Sequence, residues 1–113
     1  NIITVGVTDE DMEFAVQELI RQNGGIVLVK DGQVTESMPM PISGLMSDQS
    51  GEWVDDKLTR IHQAAHEELG ISRDVEPVMT LCFMSLAVIP EIKLTDMGLF
   101  DVTKFDFIPV EAE

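Results

Sequence analysis

His62 and His66 stand four residues apart in a stretch whose apolar residues recur at helical spacing. That offset sets two imidazoles side by side on one helix face, from which two ligands of a zinc ion could come. Zinc needs further protein ligands or a water to complete its shell. His62-Gln63-Ala64-Ala65-His66 also lacks the glutamate that metalloproteases place between their histidines. The helical angles set both residues beside the apolar stripe, so they read as boundary and surface side chains, not ligands.

Other residue types that could do chemistry are isolated. Ser43, Ser47 and Ser50 lie in a segment rich in Pro and Gly, but no Gly-x-Ser-x-Gly elbow surrounds any of them. Gly24-Gly25 follows a helical stretch and precedes a strand-like one, the reverse of a dinucleotide fingerprint, so the pair reads as a helix C-terminal cap. Cys82 sits in the apolar run Leu81-Cys82-Phe83-Met84 and reads as a small core residue. Asp55-Asp56 and Glu67-Glu68 are adjacent on a helix, where neighbouring side chains do not face each other, so neither pair is an acid–base dyad. No residue is assigned a catalytic or metal-ligating role.

The elements that would position these residues follow from periodicity. Ile2 to Val7 is β-branched and apolar and predicts a buried strand. Thr8 is placed to cap a helix whose first turn holds Asp9, Glu10 and Asp11, and whose stripe is Met12, Ala15, Val16, Leu19 and Ile20. Ile26 to Val29 and Val34 to Met38 flank Asp31-Gly32, a hairpin signal. A second helix is expected from about Gly51 to Leu69, with Val54, Leu58, Ile61, Ala65 and Leu69 facing inward and Gly70 beyond its end. Ser72 to Pro77 reads as a polar connector, and Thr80 to Ile89 fits a strand or a short buried helix equally well. Ile92 to Thr95 is extended, Asp96 to Gly98 a turn, and Phe105 to Val110 an edge strand. The expected fold is α/β in the α+β sense: a single domain over residues 1–113, with a mixed sheet of about four to six strands and two main helices packed on it.

Between the hairpin and the second helix, Met38 to Ser50 is expected to be a loop, with room for one helical turn. Its Pro39–Ser47 part abandons periodicity yet keeps apolar Ile42, Leu45 and Met46, where a free surface loop would be more polar. Ser43, Gly44, Met46 and Ser47 are therefore the candidates for contact with a substrate or a neighbouring domain. The other reading tucks these side chains into the chain's own core. Met38, Met40, Met79 and Met84 add adaptable packing surface.

The chain carries a formal net charge of −14 with 44% hydrophobic residues. The apolar content is enough for a core, and the dispersed acidic surface makes nucleic acid and anionic membranes poor partners. The lone cysteine forbids an intrachain disulfide. No apolar run approaches a membrane span and no signal peptide is visible, which fits a cytoplasmic location. The beginning at Asn1, within an apolar run, suggests an excised or processed piece.

Three stretches resemble the C-terminal region of adenine deaminases of the amidohydrolase superfamily. They are Asn1 to Met12; Gly24 to Gly32 with Pro39 to Ser47; and Met79 to Phe83 with Val88 to Leu99. Their order and spacing cover essentially the whole chain. The resemblance implies an accessory domain of an enzyme that hydrolyses adenine to hypoxanthine and ammonia in purine salvage. It places the chemistry in a preceding (β/α)₈ barrel with a binuclear manganese or iron centre that activates a water. That barrel, adenine and a second copy of the chain are then the expected partners. Of the family's His-Asp-Ser-His-Asn motif only the final Asn1 is present, so no metal ligand, acid or base carries over, no cofactor is expected in this piece, and alone it is expected to be inactive. Two further readings are a stand-alone module that binds a small molecule or a protein, and a small hydrolase using His62 and His66.

Overall fold

A computed structural model describes residues 1–111. Thr8 opens helix α1 (Asp9–Arg21), its hydroxyl accepting from the Asp11 amide at 3.3 Å. The carboxylate of Asp11 does more than favour the helix dipole: its Oδ1 accepts from the Gly32 amide at 2.8 Å, tying the start of α1 to the tip of the following hairpin. That hairpin pairs β1 (Gly25–Lys30) with β2 (Gln33–Pro39) antiparallel, and positive φ at Asp31 and Gly32 gives the tight turn that the pair of residues predicts. The register shifts between Leu28 and Val29, a bulge that lets the ladder resume one residue later.

Helix α2 (Gly51–Glu67) is capped by Ser50, whose hydroxyl accepts from the Trp53 amide at 3.3 Å. Ser50 is thus a cap, which accounts for its place in the sequence without any reactive role. α2 packs on β2 and β1, α1 packs on β1, and a part-buried Lys57–Glu36 ion pair at 2.8 Å bridges α2 to β2. Among the described residues the buried apolar side chains are Met38 on β2 and Ile61, Ala64 and Ala65 on α2.

Helix α3 (Pro77–Met84) makes the first half of the Thr80 to Ile89 run helical and begins before it, while Ser85 to Ile89 lies outside any helix or strand. Pro77 occupies its first position, where the missing N–H costs nothing, and the Glu76 carboxylate accepts from the Met79 amide. A second sheet then follows, antiparallel in the order β3 (Ile92–Thr95), β4 (Gly98–Asp101) and β5 (Asp106–Ile108). The Thr95 hydroxyl turns β3 into β4 by donating to Gly98 O at 2.8 Å and accepting from the Met97 amide at 3.1 Å.

The architecture is α+β, with five strands within the expected number but divided between two antiparallel sheets and not joined in one mixed sheet. Three further corrections apply. Ile2 to Val7 forms no strand and is mostly exposed, Val7 by 99%. A strand needs a neighbour for its backbone hydrogen bonds, and no described strand pairs with this segment. Ile20, assigned to the inward stripe of α1, is exposed, because that helix covers only a two-stranded sheet and buries no residue fully. β4, which sequence periodicity does not reveal, is the central strand of the second sheet.

Among the described residues, Asp101 at the end of β4 is the buried acidic one. Its Oδ1 accepts from the Thr103 hydroxyl at 2.6 Å and from the amides of Thr103 at 2.9 Å and Lys104 at 3.2 Å, so one carboxylate builds the turn into β5. The Thr103 hydroxyl bond is the main cause that holds its pKa below the ordinary aspartate value, helped by the Lys104 and Thr103 amides and the Lys104 charge, against desolvation. A depressed folded-state pKa contributes stability that is fully present above the unfolded value, about 3.9, and is lost as pH falls through the lower folded value. Asp101→Asn is therefore expected to flatten the acid limb of unfolding free energy against pH below about pH 5. Urea titrations across that range check it; an unchanged acid limb contradicts the assignment.

Candidate functional site

The Pro39–Ser47 loop is a miniature hairpin, not a helical turn. Ile42 and Met46 form an isolated antiparallel bridge, with Ile42 N donating to Met46 O at 3.2 Å and Met46 N to Ile42 O at 3.1 Å. Between them Leu45 N donates to Ile42 O at 3.1 Å, and both Ser43 (φ 58°) and Gly44 (φ 72°) are left-handed, the signature of a type I′ turn. Glycine takes that conformation freely; Ser43 takes it at a cost of about 1–2 kcal/mol. Such strain persists only where surrounding structure holds it, and it concentrates at sites of contact with ligands and partners.

Two glycines hold the turn against the body of the fold. A Cβ on Gly24 would stand 2.5 Å from the Gly44 Cα, and one on Gly25 would stand 2.1 Å from Met38 O. The Met40 amide donates to Gly24 O at 3.2 Å, and the Gln22 side-chain amide donates to Gly24 O at 3.0 Å and to Ile26 O at 3.3 Å. The C-terminal cap is present, but its left-handed position is taken by Asn23 (φ 61°), whose amide donates to Ile20 O at 3.2 Å, while Gly24 N donates to Leu19 O at 2.8 Å. The second role, a seat for Gly44, is one that sequence reasoning missed. The available signal was the doubling itself, since Asn23 fills the left-handed cap position.

Of the four loop candidates, Ser43 and Met46 are exposed, Met46 by 60%, while Gly44 and Ser47 are half-buried. The Ser47 hydroxyl accepts from the Gln49 amide at 3.1 Å and so shapes the approach to α2. Leu45 is 78% exposed and Ile42 is exposed as well, so these apolar side chains do not fill the chain's own core. The loop is a pinned turn that presents Ile42, Leu45 and Met46 outward.

The histidines are brought near one another but engage different partners. His66 Nδ1 lies 2.9 Å from Ile71 O, just past the end of α2. Nε2 of His62 lies against the Glu76 carboxylate that also caps α3, in a close contact without the direction of a hydrogen bond. Among the described residues no three His, Cys, Asp or Glu side chains converge as a metal site would require. Cys82 is exposed, a correction to its expected place in the core that follows from α3 having one flank only against α2. Two open surface concavities, one lined by Trp53, Asp56, Lys57 and Arg60 and one by Lys30, Asp31, Gln33, Val34, Thr35 and Glu68, contain no residue of the loop. No helix among the described residues is long and apolar enough to cross a membrane.

The fold is an α+β module that displays a pinned apolar turn. The chain belongs to the adenine deaminase C-terminal domain family, whose model matches residues 1–106. It is 76% identical over 112 residues to adenine deaminase 2 of Desulfotalea psychrophila (strain LSv54 / DSM 12343), covering 99% of this chain and 19% of that protein. It is 49% identical over 110 residues to adenine deaminase 2 of Carboxydothermus hydrogenoformans, and 51% over 110 residues to the adenine deaminase of Nitratidesulfovibrio vulgaris (strain DP4). In both cases 97% of this chain and 19% of the relative are covered. The chain thus spans about a fifth of the length of the curated relatives it matches.

The Gly24–Gly44 contact yields a direct test. Gly24→Ala adds a left-handed strain of about 1–2 kcal/mol to an overpacking cost of about 1–3 kcal/mol. The chain is expected to lose about 2 kcal/mol or more in urea unfolding. A loss below about 0.5 kcal/mol, the scale of an ordinary surface substitution, refutes the contact.

Proposed function

We propose that this chain is the accessory C-terminal domain of an enzyme that hydrolyses adenine to hypoxanthine and ammonia in cytoplasmic purine salvage. The Pro39–Ser47 turn is the surface it offers to the catalytic part. The observation that carries the proposal is the outward display of Ile42, Leu45 and Met46 on a turn held by backbone contact and strained at Ser43. An apolar surface that is rigid before contact loses little conformational freedom when covered, which favours a defined interface over a mobile loop. Barrel enzymes keep their active sites at the open, C-terminal end of the strands, and a turn pressed there would shape the mouth of the pocket.

The donor set of this chain does not fit a binuclear metal centre, since no cluster of three candidate ligands occurs among its described residues. A manganese or iron centre, with its activated water, therefore belongs to the barrel in this proposal. The role of this domain is positional: Ser43, Gly44, Met46 and Ser47 set the shape and dryness of a boundary.

Two outcomes test the proposal. The purified chain, given adenine with Mn²⁺ or Fe²⁺, is expected to release no ammonia above a blank; metal-dependent turnover overturns the assignment of chemistry to the rest of the enzyme. In the full-length enzyme, Ser43→Ala and Met46→Ala are expected to lower kcat/KM for adenine by about tenfold, the effect of losing roughly 1.4 kcal/mol in the transition state. The same changes should shift the stability of the isolated chain by less than about 0.5 kcal/mol. Destabilisation by about 2 kcal/mol or more, with kinetics intact, would make the loop a structural element only.

A further inference from the structure

We infer that Pro77–Ile108, comprising α3 and the three-stranded sheet, is a docking unit that seats this domain on the remainder of its own polypeptide, at a surface separate from the Pro39–Ser47 turn. The inference rests on the reading that the chain is one domain of a longer enzyme.

Helix α3 is apolar on every side, and no charged residue occurs between Glu76 and Glu91 in a chain of which 25% is charged. A helix that is hydrophobic all round belongs in an interior. Yet among the described elements α3 packs chiefly on α2, and it leaves Met79, Phe83 and Met84 each more than half exposed.

The sheet that follows shows the same imbalance. Cross-strand partners share a face, so Leu94, Leu99 and Ile108 line one side, while Phe100 and Phe107 line the other. Phe100 contacts Phe105 and Phe107 edge to face at centroid distances of 5.4 and 5.2 Å. An antiparallel sheet with one solvated side is apolar on one face only; this one carries large apolar side chains on both, beside Lys93 on the phenylalanine face and Asp101 and Asp106 on the other. Among the described residues it packs chiefly on itself, and Leu94 is left 80% exposed. The chain is correspondingly long, 47 × 30 × 30 Å, with a radius of gyration of 15.7 Å against about 13 Å for a compact domain of this length. Apolar surface left open in this way on α3 and on the sheet marks an interaction site.

The occupant is the parent polypeptide. This chain is about a fifth of its relatives, and its match is to their C-terminal domain, so about four fifths of the parent is available to cover α3 and the sheet. A second copy is a poorer fit, because each copy carries a net charge of −14 and like-charged surfaces oppose association.

Cys82, exposed on α3, reports on the cover directly. In the native full-length enzyme the peptide holding Cys82 is expected to be alkylated at least about tenfold more slowly than in denaturant, as buried segments exchange only through opening. Protection is expected to be independent of protein concentration. Leu94→Asp, at a site that contributes nothing to this chain's own core, is expected to restore Cys82 labelling by about tenfold. Labelling of the native enzyme at the denatured rate overturns the proposal. So does protection that disappears on dilution to monomer, which assigns the surface to a second copy, and so does unchanged labelling in Leu94→Asp. If Cys82 is protected but the full-length protein does not deaminate adenine, docking stands and the enzymatic reading fails.

Discussion

The seam between α2 and β2 is the interior of this chain. Met38 from the strand and Ile61, Ala64 and Ala65 from the helix are removed from water there, and each large aliphatic side chain so buried contributes about 1.5–3 kcal/mol. The two alanines let the helix backbone approach the hairpin closely, and the Lys57–Glu36 pair closes the seam's polar margin. Everything else is arranged around this contact. α1 covers β1 without a fully buried residue, and α3 leans on α2 and nothing larger. With 44% of its residues hydrophobic and so small an interior, the chain has more apolar surface than it can hide by itself.

That surplus is not spread at random. One part is fixed on a turn whose position depends on backbone meeting backbone, where Gly24 and Gly25 leave no space for a side chain against Gly44 and Met38. The same two glycines end α1, start β1 and seat the turn, so the end of a helix, the register of a hairpin and the placing of Ile42, Leu45 and Met46 are set together. Another part lies on α3 and the second sheet, where local hydrogen bonds from Glu76, Thr95 and Asp101 shape elements whose faces still await a cover. Both the capping carboxylate of Glu76 and the turn carboxylate of Asp101 satisfy backbone amides at chain reversals, which keeps these small elements ordered with little tertiary support.

Membership of the adenine deaminase C-terminal domain family gives this distribution a physical sense. The chain spans about a fifth of the length of the relatives it matches, and in the docking proposed above the rest of the polypeptide supplies the second wall. The two histidines show what the tertiary fold adds to helical spacing: the spacing brings them to neighbouring positions, and the fold then gives one to a carboxylate at the start of α3 and the other to a carbonyl beyond the end of α2.

Local chemistry was legible in the residues. Thr8 before three acidic residues, Asp31-Gly32 between two β-branched runs, and the stripe from Val54 to Ala65 each specify structure through forces that act within a few residues: a cap, a positive φ and one face of a helix. The resemblance of three spaced motifs to adenine deaminases was legible as well, and the family match bears it out. What only the tertiary structure decided concerns partners. Whether Ile2 to Val7 is a strand depends on a neighbouring strand, and none described in this chain offers one. β4 is four residues beginning at a glycine, too short for periodicity, and exists because β3 and β5 bracket it. Thr80 to Ile89 carries no amphipathic pattern, so its helix is set by Pro77 and Glu76 at its start. The outward face of Leu45 and Met46, and the apposition of Gly24 to Gly44 across the fold, follow from long-range packing that no local pattern encodes, because a hydrophobic residue specifies only that it be covered and not by what.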